Sequence, residues 1–469
     1  GLIGGHLDML VIGAPPADII APPESLAAWQ YKFSPADEKL LDDVQLGCFQ
    51  YFWREVGSPA CLAKDKTSDT VCSIAAVGFQ LSSLPIGVER GWITRAQGRE
   101  RALAVLRALV GRKDNKKFGI YLHFLDENTG GQPDYSRTKY RYELQASTVD
   151  HALLQAGAMT AAAYFGGDVA AAAAPIVDEA NWRAMVDKKS GFMTMGWKAA
   201  TERGVAGPGG LVSASWQWCS DEERLVDFLA VGATPEHAVE PAVYYRLRRI
   251  VKQHDKLPPY VVSPYVVSWN GSLFTYFFSH CWIDYRHLAA DDPARFGCEG
   301  PPVDWFENSR RATLTHRARC IEASREFPTL AANRWGLAPC EFRTDYLVAQ
   351  VKPNLSDMDE WRGAIVPPYG AGSAIMFAPA ESLAALREYR SLQGEDGKPL
   401  AWNDPAEGGY GFMDSFSLDP PHGHDVNLGI DQGPLLLAIE NARTGLIWRL
   451  FMRHEAARRA VERLGLSPR

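Results

Sequence analysis

Apolar positions recur at helical spacing along most of this chain. From about residue 36, Leu41, Val44, Cys48, Tyr51 and Phe52 fall on one face of a helix, with Ser34 and Pro35 as its start. Residues 102–110 repeat the pattern through Leu103, Leu106 and Val110. Over 148–165, Val149, Ala152, Leu153, Ala156, Met159 and Ala163 form an apolar stripe that Gly166-Gly167 ends. Further helices are expected at about 222–230, 236–251, 272–289, 305–326, 374–389, 433–443 and 453–464. Long polar loops rich in Gly, Pro and Trp separate them, at 191–220, 253–271, 328–372 and 391–432. Strand signals are short (119–124, 260–262 and 266–268) and read as hairpins within loops. There is no βαβ alternation and no Gly-rich phosphate loop. Ten or twelve helices with long loops on one side fit a closed double ring of helices, an all-α fold with its groove at the loop end. Residues 1–35 read as an extended arm and 36–469 as a single domain.

Composition narrows the function. Hydrophobic residues make up 46% of the 469 and charged residues 22%, so a large core is available. A net charge of −7 excludes the basic stripe of a nucleic-acid binder and suits a neutral polysaccharide. Fourteen Trp are far more than usual; indole faces pack in cores, and they also stack on sugar rings. None of the eight Cys forms a C-x-x-C pair, so a zinc ribbon or thioredoxin-like chemistry is not expected. Cys48, Cys72 and Cys281 sit in apolar patterns as buried thiols; Cys61–Cys72 and Cys298–Cys320 are the spacings open to a disulfide. No apolar run reaches the roughly 18 residues of a membrane span. The segment 1–20 is apolar but broken by His6, Asp8, Pro15, Pro16 and Asp18, so it is not an intact signal peptide. A periplasmic or secreted protein whose leader has been removed fits this.

Glycosidic hydrolysis takes two carboxyl groups, one to protonate the leaving oxygen and one to activate water or attack carbon. Acids beside aromatics and glycines are therefore the candidates. Trp216 and Trp218 lead into Asp221, Glu222 and Glu223 at a helix start, where such acids also serve the helix dipole and where like charges raise one another's pKa. Asp414 lies in Tyr410-Gly-Phe-Met-Asp-Ser-Phe, after Gly408-Gly409. Asp431 precedes Gly433-Pro434 and an apolar helix. Asp150 stands inside the stripe of the 148–165 helix and requires a partner if buried. His280 and Asp284, at i, i+4, are placed on one face of the 272–289 helix. Glu89, Arg90 and Trp92 occupy a loop in which Arg90 is suited to a carboxylate or a sugar hydroxyl. His422, His424 and Asp425 make only a weak metal signal, and neither metal nor cofactor is expected.

Taken together, these segments resemble the glycoamylase-domain family, which includes bacterial endo-β-1,2-glucanases of the glycoside hydrolase family 144 type. The matching stretches are Ser73-Ile-Ala-Ala-Val-Gly-Phe with Leu84-Pro-Ile-Gly-Val-Glu-Arg-Gly-Trp, Ser147-Thr-Val-Asp-His-Ala-Leu-Leu-Gln-Ala-Gly, and Asp221-Glu222 ahead of Phe228-Leu-Ala. Gly271-Ser-Leu-Phe, Tyr410-Gly-Phe-Met-Asp-Ser-Phe, Gly429-Ile-Asp-Gln-Gly-Pro and the Glu440-Asn-Ala-Arg-Thr-Gly tail follow in order. The resemblance implies an (α/α)6 barrel and an inverting hydrolase that releases sophoro-oligosaccharides from β-1,2-glucan. It implies Glu222 as general acid and Asp414 as base, with Asp150 and Asp431 as secondary acids. Trp216, Trp218, Tyr369, Trp402 and Tyr410 are candidates for sugar stacking, by loop position. The chain departs from the family pattern at Gln145, Asp221 and His151, close to the expected groove. Exo-acting and transglycosylating members leave those reactions open, and a non-catalytic glucan-binding protein is the alternative from another class. Oligomeric state is not written in the sequence.

Overall fold

The computed structural model describes residues 31–134, 145–201, 205–253, 264–348 and 365–469. Among them the helices run α1 (Pro35–Arg54), α2 (Ile74–Glu89), α3 (Arg95–Val110), α4 (Thr148–Phe165), α5 (Gly167–Asp178), α6 (Asp221–Gly232) and α7 (Ala242–Tyr245). They continue as α8 (Trp305–Ala323), α9 (Pro368–Ser373), α10 (Pro379–Ser391), α11 (Gly429–Arg443), α12 (Leu446–Arg453) and α13 (Glu455–Arg463). None is long and apolar enough to cross a membrane.

Six inner elements pack in a closed cycle. α2 lies against α4, α4 against α6, and α6 against the 3-10 turns of residues 273–281; those turns touch α9, α9 meets α11, and α11 returns to α2. A second layer covers them: α1 on α2 and α11, α3 on α2 and α5, α5 on α4, α8 on the 3-10 turns, α10 on α9, and α13 on α6. Burial explains the layering. In α2 every residue from Ile74 to Gly87 is buried, so the helix has no solvent face and belongs inside. α4 is likewise buried from Asp150 to Ala162. Close approach of these two requires glycine: a Cβ on Gly78 would stand 2.2 Å from the Leu153 carbonyl oxygen, and one on Gly157 2.0 Å from that of Gly78.

Most expected helices form, with three corrections. The 272–289 stretch is not one helix but separate 3-10 turns at Leu273–Tyr276, Ser279–Cys281 and Tyr285–His287. The Asp221 carboxylate is the reason: its Oδ2 accepts from the main-chain N–H groups of Ser279 (2.9 Å) and His280 (3.3 Å). The 236–251 stretch keeps only α7, four residues that follow Pro241. The 191–220 loop contains the strands Gly196–Thr201 and Val205–Leu211, paired antiparallel and extended by Gln145–Ser147. α2 and α5 form where no helix is expected from periodicity. The 3-10 turns and seven small sheets sit around the helices, and no sheet has more than three strands among the described residues. Cys48, Cys72 and Cys281 are buried thiols, and Cys61, Cys298 and Cys320 are free as well, so neither of the two pairings left open is formed. The strand signal at 260–262 and residues 1–30 of the expected arm lie outside the described residues. Tyr31 already docks on the ring, its hydroxyl donating to the Met376 carbonyl at 2.8 Å.

Candidate active site

Inner helices deliver their N-termini to one place. Ser73 caps α2, Ser147 caps α4 and Ser220 caps α6, each with a side-chain oxygen on a main-chain N–H of the first turn. A cavity of about 450 Å³ lies at these ends. It is walled by Ser73 before α2, Val149, Asp150 and Leu153 of α4, Glu222 of α6, and Leu428 and Ile430 at the start of α11. Asp65, His123, Phe124, Phe278, Glu341 and Tyr346 complete the wall. Four carboxylates (Asp65, Asp150, Glu222 and Glu341) therefore face one space, and two of them, Asp150 and Glu222, stand in helical first turns where the dipole favours an anion.

Glu222 also belongs to a second cavity, of about 540 Å³, walled by Trp216, Trp218 and Trp269 with Ser213 and Gln217. It is the partition between an acid-lined chamber and an indole-lined one. Trp269 donates from Nε1 to Glu222 Oε2 at 3.3 Å, and Trp216 Nε1 donates to Thr148 Oγ1 at 2.9 Å. Burial pushes the Glu222 carboxyl up to about 8; the Trp269 bond opposes this, and the charges of Asp150 and Asp221 add to it. Glu222 thus carries a proton at neutral pH. Its neighbours have other work. Asp221, fully buried, pairs with Arg224 and ties down the 3-10 turns, while Glu223 accepts from the Ser220 hydroxyl.

On the α4 wall, Asp150 accepts from the Ser147 hydroxyl, and His123 Nε2 stands 3.5 Å from its Oδ1. Opposite in sequence, Asp414 is 3% exposed and lines neither cavity; its Oδ2 accepts from the Glu341 main-chain N–H at 2.6 Å. Asp431, at the start of α11, faces Asp414, and both are buried. Burial raises both carboxyls, Asp414 to about 7. Glu341 lines the acid chamber and is ion-paired with Lys66 at 2.7 Å.

Seven of the candidates stand elsewhere. Glu89 and Arg90 are at the other end of α2, where Glu89 accepts from the Tyr164 hydroxyl at 2.6 Å and Arg90 donates to Glu440 at 2.8 Å. They cannot reach a sugar bound at the Ser73 end, since the helix separates them by about 20 Å. His280 and Asp284 do not share a face, because no helix joins them. His280 is buried and bonds Ser309 Oγ through Nε2 at 2.9 Å, and Asp284 is held by Arg286 and His287. Trp402 packs edge-on against Phe412 with Arg390 over its face at 4.1 Å, and Tyr410 donates to Glu55 at 2.7 Å. Tyr369 is buried with its hydroxyl on the Pro339 carbonyl at 2.8 Å, so it is no stacking platform. Trp216 and Trp218 are at the wall of the second cavity, with Trp269 beside them. Lys66, His123, Glu341 and Trp269 lie in short segments without a motif, and only their distant partners mark them. His422, His424 and Asp425 form no metal cluster among the described residues.

Comparison with known proteins agrees with this architecture. The profile of the Glycoamylase family, described as "Putative glucoamylase", matches residues 215–455. An exo β-1,2-glucooligosaccharide sophorohydrolase (non-reducing end) of Parabacteroides distasonis is 24% identical over 461 residues, 91% of this chain. The chain spans 58% of the length of that curated relative. An endo-β-1,2-glucanase of Chitinophaga pinensis, solved with sophorotriose and glucose, superposes with a TM-score of 0.74 at 20% identity, over 93% of this chain and 99% of that one. A β-1,2-glucanase of P. distasonis superposes at 0.75 with 23% identity, over 92% and 60%. With the profile match spanning more than half of its residues, the chain belongs to the Glycoamylase family.

Proposed function

We propose that the protein is a glycoside hydrolase that cleaves β-1,2-linked glucan by inversion, on an (α/α)6 barrel whose inner ring is the closed cycle of six elements. The observation that carries the reading is the place of Glu222, protonated and shared between the two cavities. A glucan lying across this partition presents its glycosidic oxygen to the acid, with one sugar among the carboxylates and the next against Trp216, Trp218 and Trp269. Indole faces suit sugar rings, and their N–H groups suit hydroxyls. Glu222 gives its proton to the leaving oxygen, and Asp414 takes the proton of the attacking water. Asp414 stands behind Glu341, so the proton reaches it through an intervening hydroxyl or water. A base near 7 and an acid near 8 restrict turnover to a band around those values. Activity falls below the band because Asp414 is protonated, and above it because Glu222 is not. The β-1,2 linkage is supported by what the named relatives act on.

The test is incubation with linear β-1,2-, β-1,3-, β-1,4- and α-linked glucans, followed by NMR of the fresh products. β-1,2-glucan is expected to yield short oligosaccharides with α anomers at the new reducing ends. Retained configuration overturns the inverting mechanism, and chain lengthening without new reducing ends makes the protein a transglycosylase. Glu222→Gln and Asp414→Asn are each expected to lower kcat by about 100-fold or more. Wild-type turnover in either variant removes that residue from its role.

A further inference from the structure

Three segments remote in sequence meet at Glu341. Lys66 donates from Nζ to both carboxylate oxygens, at 2.8 and 2.7 Å. The Glu341 main-chain N–H donates to Asp414, and its carbonyl accepts from the Ser415 hydroxyl at 2.6 Å. Lys66 is 7% exposed. A lysine is seldom so buried, and a buried ion pair is a poor source of stability because desolvation offsets the Coulomb gain. Its location is more informative: it brings one charge of each sign to the Asp414 side of the acid chamber.

Among the described residues, the other groups named around Asp414 do not duplicate this. Asp431 faces it from α11, and Tyr369 from α9 faces Asp431. Cys340 comes from the same strand as Glu341, Tyr346 from the strand paired with it, and Asp65 from beside Lys66. All of these are anionic or neutral. His424 Nε2 lies 3.8 Å from Glu341, and burial lowers its affinity for a proton, so it is neutral at pH 7. Lys66 makes the Asp414 carboxyl more acidic and Glu341 makes it less so.

We propose that Lys66 and Glu341 are a positioning pair for Asp414, in which the Glu341 main chain orients the carboxylate and the two side-chain charges counterbalance each other beside it. This rests on the reading of Asp414 as the base. Neither side chain takes the proton from water; each acts through Asp414.

The experiment is the pH dependence of kcat/KM on a β-1,2-linked gluco-oligosaccharide for Lys66→Met, Glu341→Gln, the double variant and Asp414→Asn. Removing the cation is expected to move the acidic limb to higher pH, and removing the anion to lower pH, each by on the order of one unit. The double variant is expected to return close to wild type, and Lys66→Arg to keep the wild-type limb. A pair that only braces the fold lowers stability and rate without moving the limb. If Lys66→Met does not fold, the direction of the Glu341→Gln shift decides alone. Wild-type activity in Asp414→Asn refutes the base assignment itself. An inactive Asp414→Asn together with unmoved limbs, or limbs moving the same way, overturns the pair.

Discussion

At Glu222, opposing influences can be ranked. The start of α6 and the Trp269 N–H favour the anion, while burial and two neighbouring carboxylates favour the acid. Burial is the largest, and the carboxyl ends up holding its proton to about 8. Asp150 is the contributor that can be removed without touching α6. Asp150→Asn deletes a negative charge, so Glu222 releases its proton more easily. The basic limb of the kcat/KM profile is then expected to move to lower pH, by up to about one unit. Because Asp150 faces the chamber itself, the rate will also fall, but the limb position reports the charge alone. A limb that stays in place shows that Asp150 does not hold the Glu222 proton.

At the level of elements, a single side chain decides whether residues 272–289 form a helix. The apolar pattern there is helical, yet the Asp221 carboxylate takes the N–H groups of Ser279 and His280, which a continuous helix would direct to its own carbonyls. Arg224, 1% exposed, neutralises that carboxylate. Asp221→Ala leaves a buried guanidinium unpaired and two amides unsatisfied, an expected loss of about 3–5 kcal/mol in urea unfolding. Asp221→Asn, whose amide oxygen still accepts from both N–H groups, is expected to lose less. Equal losses in the two variants show that the main-chain bonds contribute nothing. The same contact marks the limit of what the sequence discloses. α4 and its Gly166 stop were legible, because stripe and stop are local signals. So was the acid cluster at the start of α6, although choosing Glu222 from it took the family resemblance. α2 escaped because a helix buried on all sides has no periodicity to read. Lys66 and Glu341 escaped because 275 residues separate them, and neither carries a local mark. Glu89 and Arg90, read as a loop, stand at the far end of that unread helix, and a local motif does not disclose which end of the ring holds the chamber.

At the scale of the whole molecule, two charged networks among the described residues stand at opposite ends of α2. One end gathers the N-termini of α2, α4, α6 and α11 around the acid chamber. The other ties α2 to α11 through Glu440, 1% exposed, which accepts from Arg90 at 2.8 Å, Gln45 at 3.0 Å and Thr444 at 2.6 Å. Arg443 carries the network on to Gln45 at 2.6 Å and Asp42 at 2.8 Å. This lattice closes the ring where α11 returns to α2, about 20 Å from the chemistry. Function and stability should therefore separate by end. Arg90→Ala leaves Glu440 buried without its cation, and a loss of about 3 kcal/mol in unfolding free energy is expected, with kcat/KM unchanged at temperatures where the variant is folded. Glu222→Gln is expected to do the reverse. It abolishes turnover and preserves or raises the melting temperature, because a group that is already protonated is replaced by its neutral isostere. Measuring both quantities on both variants decides the matter: a fall in kcat/KM for folded Arg90→Ala would show that ring closure is transmitted to the chamber, and the two ends would then have to be treated as one device.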